Sequence, residues 1–68
     1  MVTLKDFRMI TAAPRVSYTC FFVDCDYETA SQDDETILEA WENSGAIVTD
    51  INTCGGTLFV ECEISMED

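Results

Sequence analysis

Val16 to Val23 reads VSYTCFFV, and both of its alternate faces are largely apolar: Val16, Tyr18, Cys20 and Phe22 on one, Phe21, Val23 and Cys25 on the other. β-Branched and aromatic residues at that density predict a strand. A strand apolar on both faces is normally covered on both. The chain has 68 residues, enough for a single domain (1–68) and one core. What covers this strand therefore decides the fold.

The flanking segments supply the candidates. Val2 to Ile10 is read as a further strand, with Val2 and Leu4 on one face and Phe7 and Met9 on the other; the change of parity at Asp6 predicts a bulge. Ala12-Ala13-Pro14-Arg15 is a turn, because Pro14 has no N–H for a ladder. Asp24 to Gln32 reads as a polar connection. Ser31 followed by Asp34 resembles a capping box, and Asp33, Asp34 and Glu35 suit the positive end of a helix. That helix runs to about Ser44, with Gly45 as its C′ residue. Ile37, Leu38 and Trp41 form its apolar stripe, and Glu35, Glu39 and Glu42 take the other side. Ala46 to Ile51 and Thr57 to Ile64 complete the strands, and Gly55-Gly56 provide a hairpin loop that needs positive φ.

The elements predict an α+β fold in the order β-β-α-β-β: a small antiparallel sheet with one helix packed on one face. One short helix covers one face only. Tyr18, Phe22 and Phe59 are then expected on an open apolar face, a candidate interface for a homodimer or a partner.

Charge is the second constraint. Fourteen Asp and Glu stand against three Lys and Arg, a formal net charge of −11. Lys5, Arg8 and Arg15 all lie in the first fifteen positions, and no base follows from Val16 to Asp68. Such a field works against direct binding to nucleic acid or to an anionic membrane and favours a basic protein surface as partner. Met1 to Ile10 contains Lys5, Asp6 and Arg8 and lacks the apolar run of a signal peptide. The cytoplasm is the expected compartment, where Cys20, Cys25, Cys54 and Cys62 are reduced thiols.

Catalytic chemistry finds little support in these residues. Without histidine there is no ready general base near neutral pH and no Cys–His nucleophile. A negative field also raises thiol pKa values. No enzyme activity and no cofactor are expected. The cysteines show no C-x-x-C spacing for zinc, and Cys20 and Cys62 sit in apolar strand faces as small hydrophobes. Asp24, Asp26, Glu28 and Glu35 fall at positions 1, 3, 5 and 12 of a calcium-loop pattern. Position 6, which needs Gly, is Thr29, and the preceding segment alternates like a strand.

The acidic residues themselves are the remaining signal. Glu61 and Glu63 share one strand face about 6.8 Å apart, close to the axial rise between alternate phosphates on one DNA strand. Asp24 and Asp26 would repeat that spacing if they continued the second strand. Glu35, Glu39 and Glu42 form a helical row. With Glu28, Asp33 and Asp34 these are the candidate partner-binding carboxylates.

In type, the chain resembles the small acidic proteins that phages and other mobile elements use against host defences or transcription, anti-CRISPR proteins and other nucleic-acid mimics among them. The features shared are brevity, the base-free stretch Val16–Asp68, and a strand–helix–strand run through Asp33-Asp34-Glu35, Trp41 and Gly45-Ala46-Ile47-Val48. The resemblance implies a stoichiometric inhibitor that occupies a basic, nucleic-acid-binding surface of a host complex, acting in the host cytoplasm if phage-encoded. It transfers no individual site residue. The alternative class is a small dimeric structural or assembly module whose acidity serves solubility; an inhibitor docking through apolar surface is a third, and a calcium-binding loop protein is a minor alternative.

Overall fold

Two hairpins joined by a helix make up the fold of the computed structural model, which describes residues 1–24 and 26–64. Helix α1 (Leu4–Ile10) precedes the first hairpin, β1 (Val16–Phe21) and β2 (Tyr27–Ser31). Helix α2 (Glu35–Asn43) then crosses to the second hairpin, β3 (Ile47–Cys54) and β4 (Thr57–Glu63). Each hairpin is antiparallel, and the two meet along β1 and β4, which run parallel. The sheet has four strands in the order β2-β1-β4-β3. The architecture is α+β, and the strands and α2 follow in the order β-β-α-β-β. The sheet is mixed rather than wholly antiparallel, and there are two helices rather than one.

The additional helix, α1, is the segment read above as a strand. Thr3 is its N-cap, its Oγ1 accepting a hydrogen bond from the Asp6 N–H at 3.1 Å. Leu4 and Phe7 are buried on one side of it. The parity change at Asp6 is therefore i, i+3 helical spacing and not a bulge. Strand β2, in turn, lies within the segment read as a polar connection. Only Ala30 of its five residues is buried, so an outer strand with one core residue carries no apolar alternation for a sequence pattern to show.

The second hairpin and α2 follow the expectations closely. Asp34 is the N-cap position but its side chain makes no bond to the helix N–H groups; its carboxylate accepts from the Ser31 N–H at 2.8 Å and braces the preceding turn, so the expected capping box is not formed. At the other end the Gly45 N–H bonds to the Glu42 carbonyl and the Ala46 N–H to the Trp41 carbonyl, with Gly45 at φ +81°. That pair of bonds is a Schellman motif. Gly55 and Gly56 both have positive φ between the paired Cys54 and Thr57, as a two-residue type I′ hairpin requires.

Both helices lie over one face of the sheet and bury it. Leu4 and Phe7 of α1 and Leu38 and Trp41 of α2 pack with Val16, Tyr18 and Cys20 of β1 and Val60 and Cys62 of β4. Ile37, expected in the stripe of α2, lies at its exposed flank. Tyr18 is 2% exposed, so it belongs to this core and not to an open face: the added helix α1 covers it. Phe22 is half-buried against the same core. Gln32 ties the open end of the first hairpin, donating to the Pro14 carbonyl at 2.8 Å while its side-chain oxygen accepts from the Val16 N–H.

Cys20 and Cys62 are Cα partners at the centre of the β1–β4 seam, both fully buried free thiols. Burial pushes the pKa of each above its ordinary 9.0. Burial likewise raises Tyr18 above 10.0, opposed in part by the charge of Arg8. For each group the folded-state value exceeds the unfolded one. The stability they contribute is complete below about pH 9 and lost as pH rises through the raised values. Melting temperature, followed by circular dichroism, should therefore hold level from neutral pH to about pH 9 and fall above it. A second expectation concerns packing: Leu38→Ala should cost about 3 kcal/mol in chemical denaturation, a large fraction of what a domain this small possesses.

Candidate functional site

The sheet face turned away from the helices brings three carboxylates together from two strands. Side chains alternate along a strand, and Val16, Tyr18, Cys20, Val60 and Cys62 all point to the core. Ser17, Thr19 and Phe21 of β1 and Phe59, Glu61 and Glu63 of β4 therefore occupy the other face. The register places them side by side: Ser17 opposite Phe59, Thr19 opposite Glu61, Phe21 opposite Glu63.

A β-bulge adds a residue that the sequence pattern hides. Register shifts between Val48 and Asp50, so Val48 pairs with Cys62 and Asp50 with Glu61. Strict alternation from Val48 would send Asp50 to the helix side. With Thr49 looped out, Asp50 joins Glu61 and Glu63 on the open face. The Thr49 hydroxyl bonds to the Glu61 carbonyl at 3.3 Å and holds the bulge. The Asp50 carboxylate accepts from the Ile51 N–H at 3.0 Å and from the Asn52 amide at 3.3 Å, which fixes its position.

Aromatic residues flank these carboxylates. Phe21 is 38% exposed, and its ring lies 5.8 Å from that of Tyr27, its partner on β2, at a tilt of 46°. Phe59 is exposed further along the same face. Of the three aromatic residues expected on an open face, Phe59 is there, while Tyr18 and Phe22 are replaced by Phe21 and Tyr27.

The ten carboxylates named from the sequence do not form one array. Glu61 and Glu63 stand together on the open face. Glu35 and Glu42, seven residues apart on α2, both turn to Arg8 of α1: Arg8 Nη2 donates to Glu35 Oε1 at 2.9 Å, and Nη1 donates to Glu42. Burial acts to lower the Arg8 pKa, but the bonds and charges of the two carboxylates outweigh it and hold it above the ordinary arginine value. The unfavourable position of Glu42 at the negative end of α2 is offset by this cation from another helix. Asp24 and Asp26 lie in the turn between β1 and β2 and do not continue a strand, so they do not repeat the Glu61–Glu63 spacing. Glu28 is on the outer strand β2, opposite Cys20 and therefore on the helix side. Asp33, Asp34 and Glu39 are exposed at the start and along the outside of α2.

Residues 24–35 run through a turn, a strand and a helix start, not the continuous loop between helices that a calcium site of that pattern needs. Among the described residues no group of three or more acidic or thiol side chains is placed to hold a metal ion. No helix among them is long and apolar enough to cross a membrane. Compared with known proteins, the chain matches no family model, no curated protein and no solved structure, so its function must be read from its own residues.

The Arg8 tie has a measurable consequence. Arg8→Met, which keeps the aliphatic packing of the stem, should lower stability by about 1–2 kcal/mol. Glu42→Gln should cost more than Glu35→Gln, because the Glu42 side chain is 14% exposed and that of Glu35 64%. Urea denaturation of the three variants checks the order.

Proposed function

We propose that this protein is a non-catalytic acidic binder that seats its helix-free sheet face on a basic, nucleic-acid-binding surface of another protein and so acts as a stoichiometric inhibitor. The observation that carries the reading is Asp50 directly opposite Glu61, with Glu63 beside them and no base from Val16 onward to offset them. Like charges directly opposite on a sheet destabilise it. Local bonds hold Asp50 but do not offset its repulsion with Glu61, and a basic partner surface would do so. Carboxylates spaced along a strand suit Lys and Arg side chains that otherwise hold phosphates.

The same charges oppose a symmetric homodimer through this face, since a twofold axis would bring Asp50, Glu61 and Glu63 against their own copies. A partner of opposite charge meets no such cost.

The reading is tested on proteins captured by the immobilised protein from a candidate host. Capture should weaken steeply as salt rises from about 50 to about 500 mM, and added nucleic acid should displace the partner. The double variant Glu61→Lys, Glu63→Lys should capture nothing while melting no lower than the parent. Capture that survives high salt and excess nucleic acid would overturn the reading.

A further inference from the structure

We propose that the margin of the open sheet face reads arginine in preference to lysine, through a hollow at the end of the β1–β4 seam that takes an arginine side chain of the partner. This rests on the acidic-binder reading and adds which cation the face selects. The hollow is about 240 Å³ and is lined by Phe21, Phe22, Val23, Glu63 and Ile64. Four of its five lining residues are apolar and the fifth is a single carboxylate. Its frame is held by the backbone: the Ile64 N–H donates to the Phe21 carbonyl at 3.0 Å, and the Phe22 N–H to the Asp26 carbonyl at 2.8 Å.

A recess lined by apolar side chains, by polar backbone between them and by one acid at its wall matches a side chain with an aliphatic stem and a cationic head rich in donors. Both Lys and Arg fit that description, and the walls decide between them. Phe21 and Glu63 are Cα partners on adjacent strands, so ring and carboxylate stand side by side. A planar guanidinium stacks on an aromatic face while its fork engages a carboxylate. An ammonium is compact and strongly hydrated, and it gives up more water to lie against the Phe21 ring. Tyr27 braces the Phe21 ring from the outer strand, and Asp24 and Asp26 in the adjoining turn add negative potential without competing cations.

The test is a titration of isotope-labelled protein with an oligo-arginine peptide and an oligo-lysine peptide of equal length, at one salt concentration, followed by NMR. The arginine peptide should bind about three- to fivefold more tightly, the scale of a cation–π contact, with the largest amide shifts at Phe21, Val23 and Glu63. Phe21→Leu keeps an apolar wall and removes the π face; it should weaken arginine binding more than lysine binding and so erase the arginine advantage. Glu63→Gln should weaken arginine binding more than lysine binding. Equal affinity for the two peptides, falling with salt, would overturn arginine selection and leave the acidic-binder reading standing. An arginine preference with its shifts on α2 would also overturn the assignment of the hollow. Binding of neither peptide would overturn both.

Discussion

The parallel pairing of β1 with β4 is the contact on which the other elements depend. Each hairpin alone is a two-stranded ribbon, marginal in water. Joined along β1 and β4, they form a four-stranded sheet whose central strands supply Val16, Tyr18, Cys20, Val60 and Cys62 to one core. Parallel neighbours need a crossover, and α2 provides it while delivering Leu38 and Trp41 to the same core. Helix α1 completes the cover. Its Leu4 and Phe7 shield what α2 is too short to reach, and Arg8 ties the two helices together. With both helices on one side, the other face of the sheet is left to solvent or to a partner.

Charge follows this division. On the helix side the carboxylates that approach the core are met by Arg8, so the cost of bringing Glu42 into partial burial is answered by a cation. On the open side Asp50, Glu61 and Glu63 have no such answer. Of the three bases, Arg8 is the one that meets carboxylates among the described residues, while Lys5 and Arg15 are exposed.

Legibility of the sequence varied with how much of an element's role was local. The helix α2, its Schellman turn at Gly45 and the Gly55-Gly56 hairpin rest on short-range chemistry and were readable in order. Val2–Ile10 misled because Leu4 and Phe7 with exposed Met9 and Ile10 fit two periods over so short a span; the deciding signal was Thr3 and Asp6, a cap pattern. β2 escaped because Ala30 alone marks its buried side. Asp50 escaped because its facing depends on a bulge that only the register with β4 reveals. The placement of Tyr18 followed from the missed helix: with one cover fewer, a core residue was assigned to the surface. Glu61, Glu63 and Phe59 were placed on the right face because β4 is a central strand with clean alternation.

The outer strands add a colloidal property. The bonds from Gln32 to Val16 and from Phe22 to Asp26 turn the backbone groups of Asp26 and Gln32 toward β1, so those of Tyr27 and Thr29 point outward along the rim of the sheet. β3 is likewise the opposite rim, closed by Val2 and Thr3 only near its start. Unpaired rims of this kind recruit further strands when molecules approach. No proline or lysine guards either rim, the Thr49 bulge interrupts that of β3, and the long-range repulsion of a net charge of −11 adds to the separation of neighbouring molecules. Dispersion of this protein in concentrated solution accordingly depends on ionic strength and acidity, with its strand edges shielded by its field as well as by its shape.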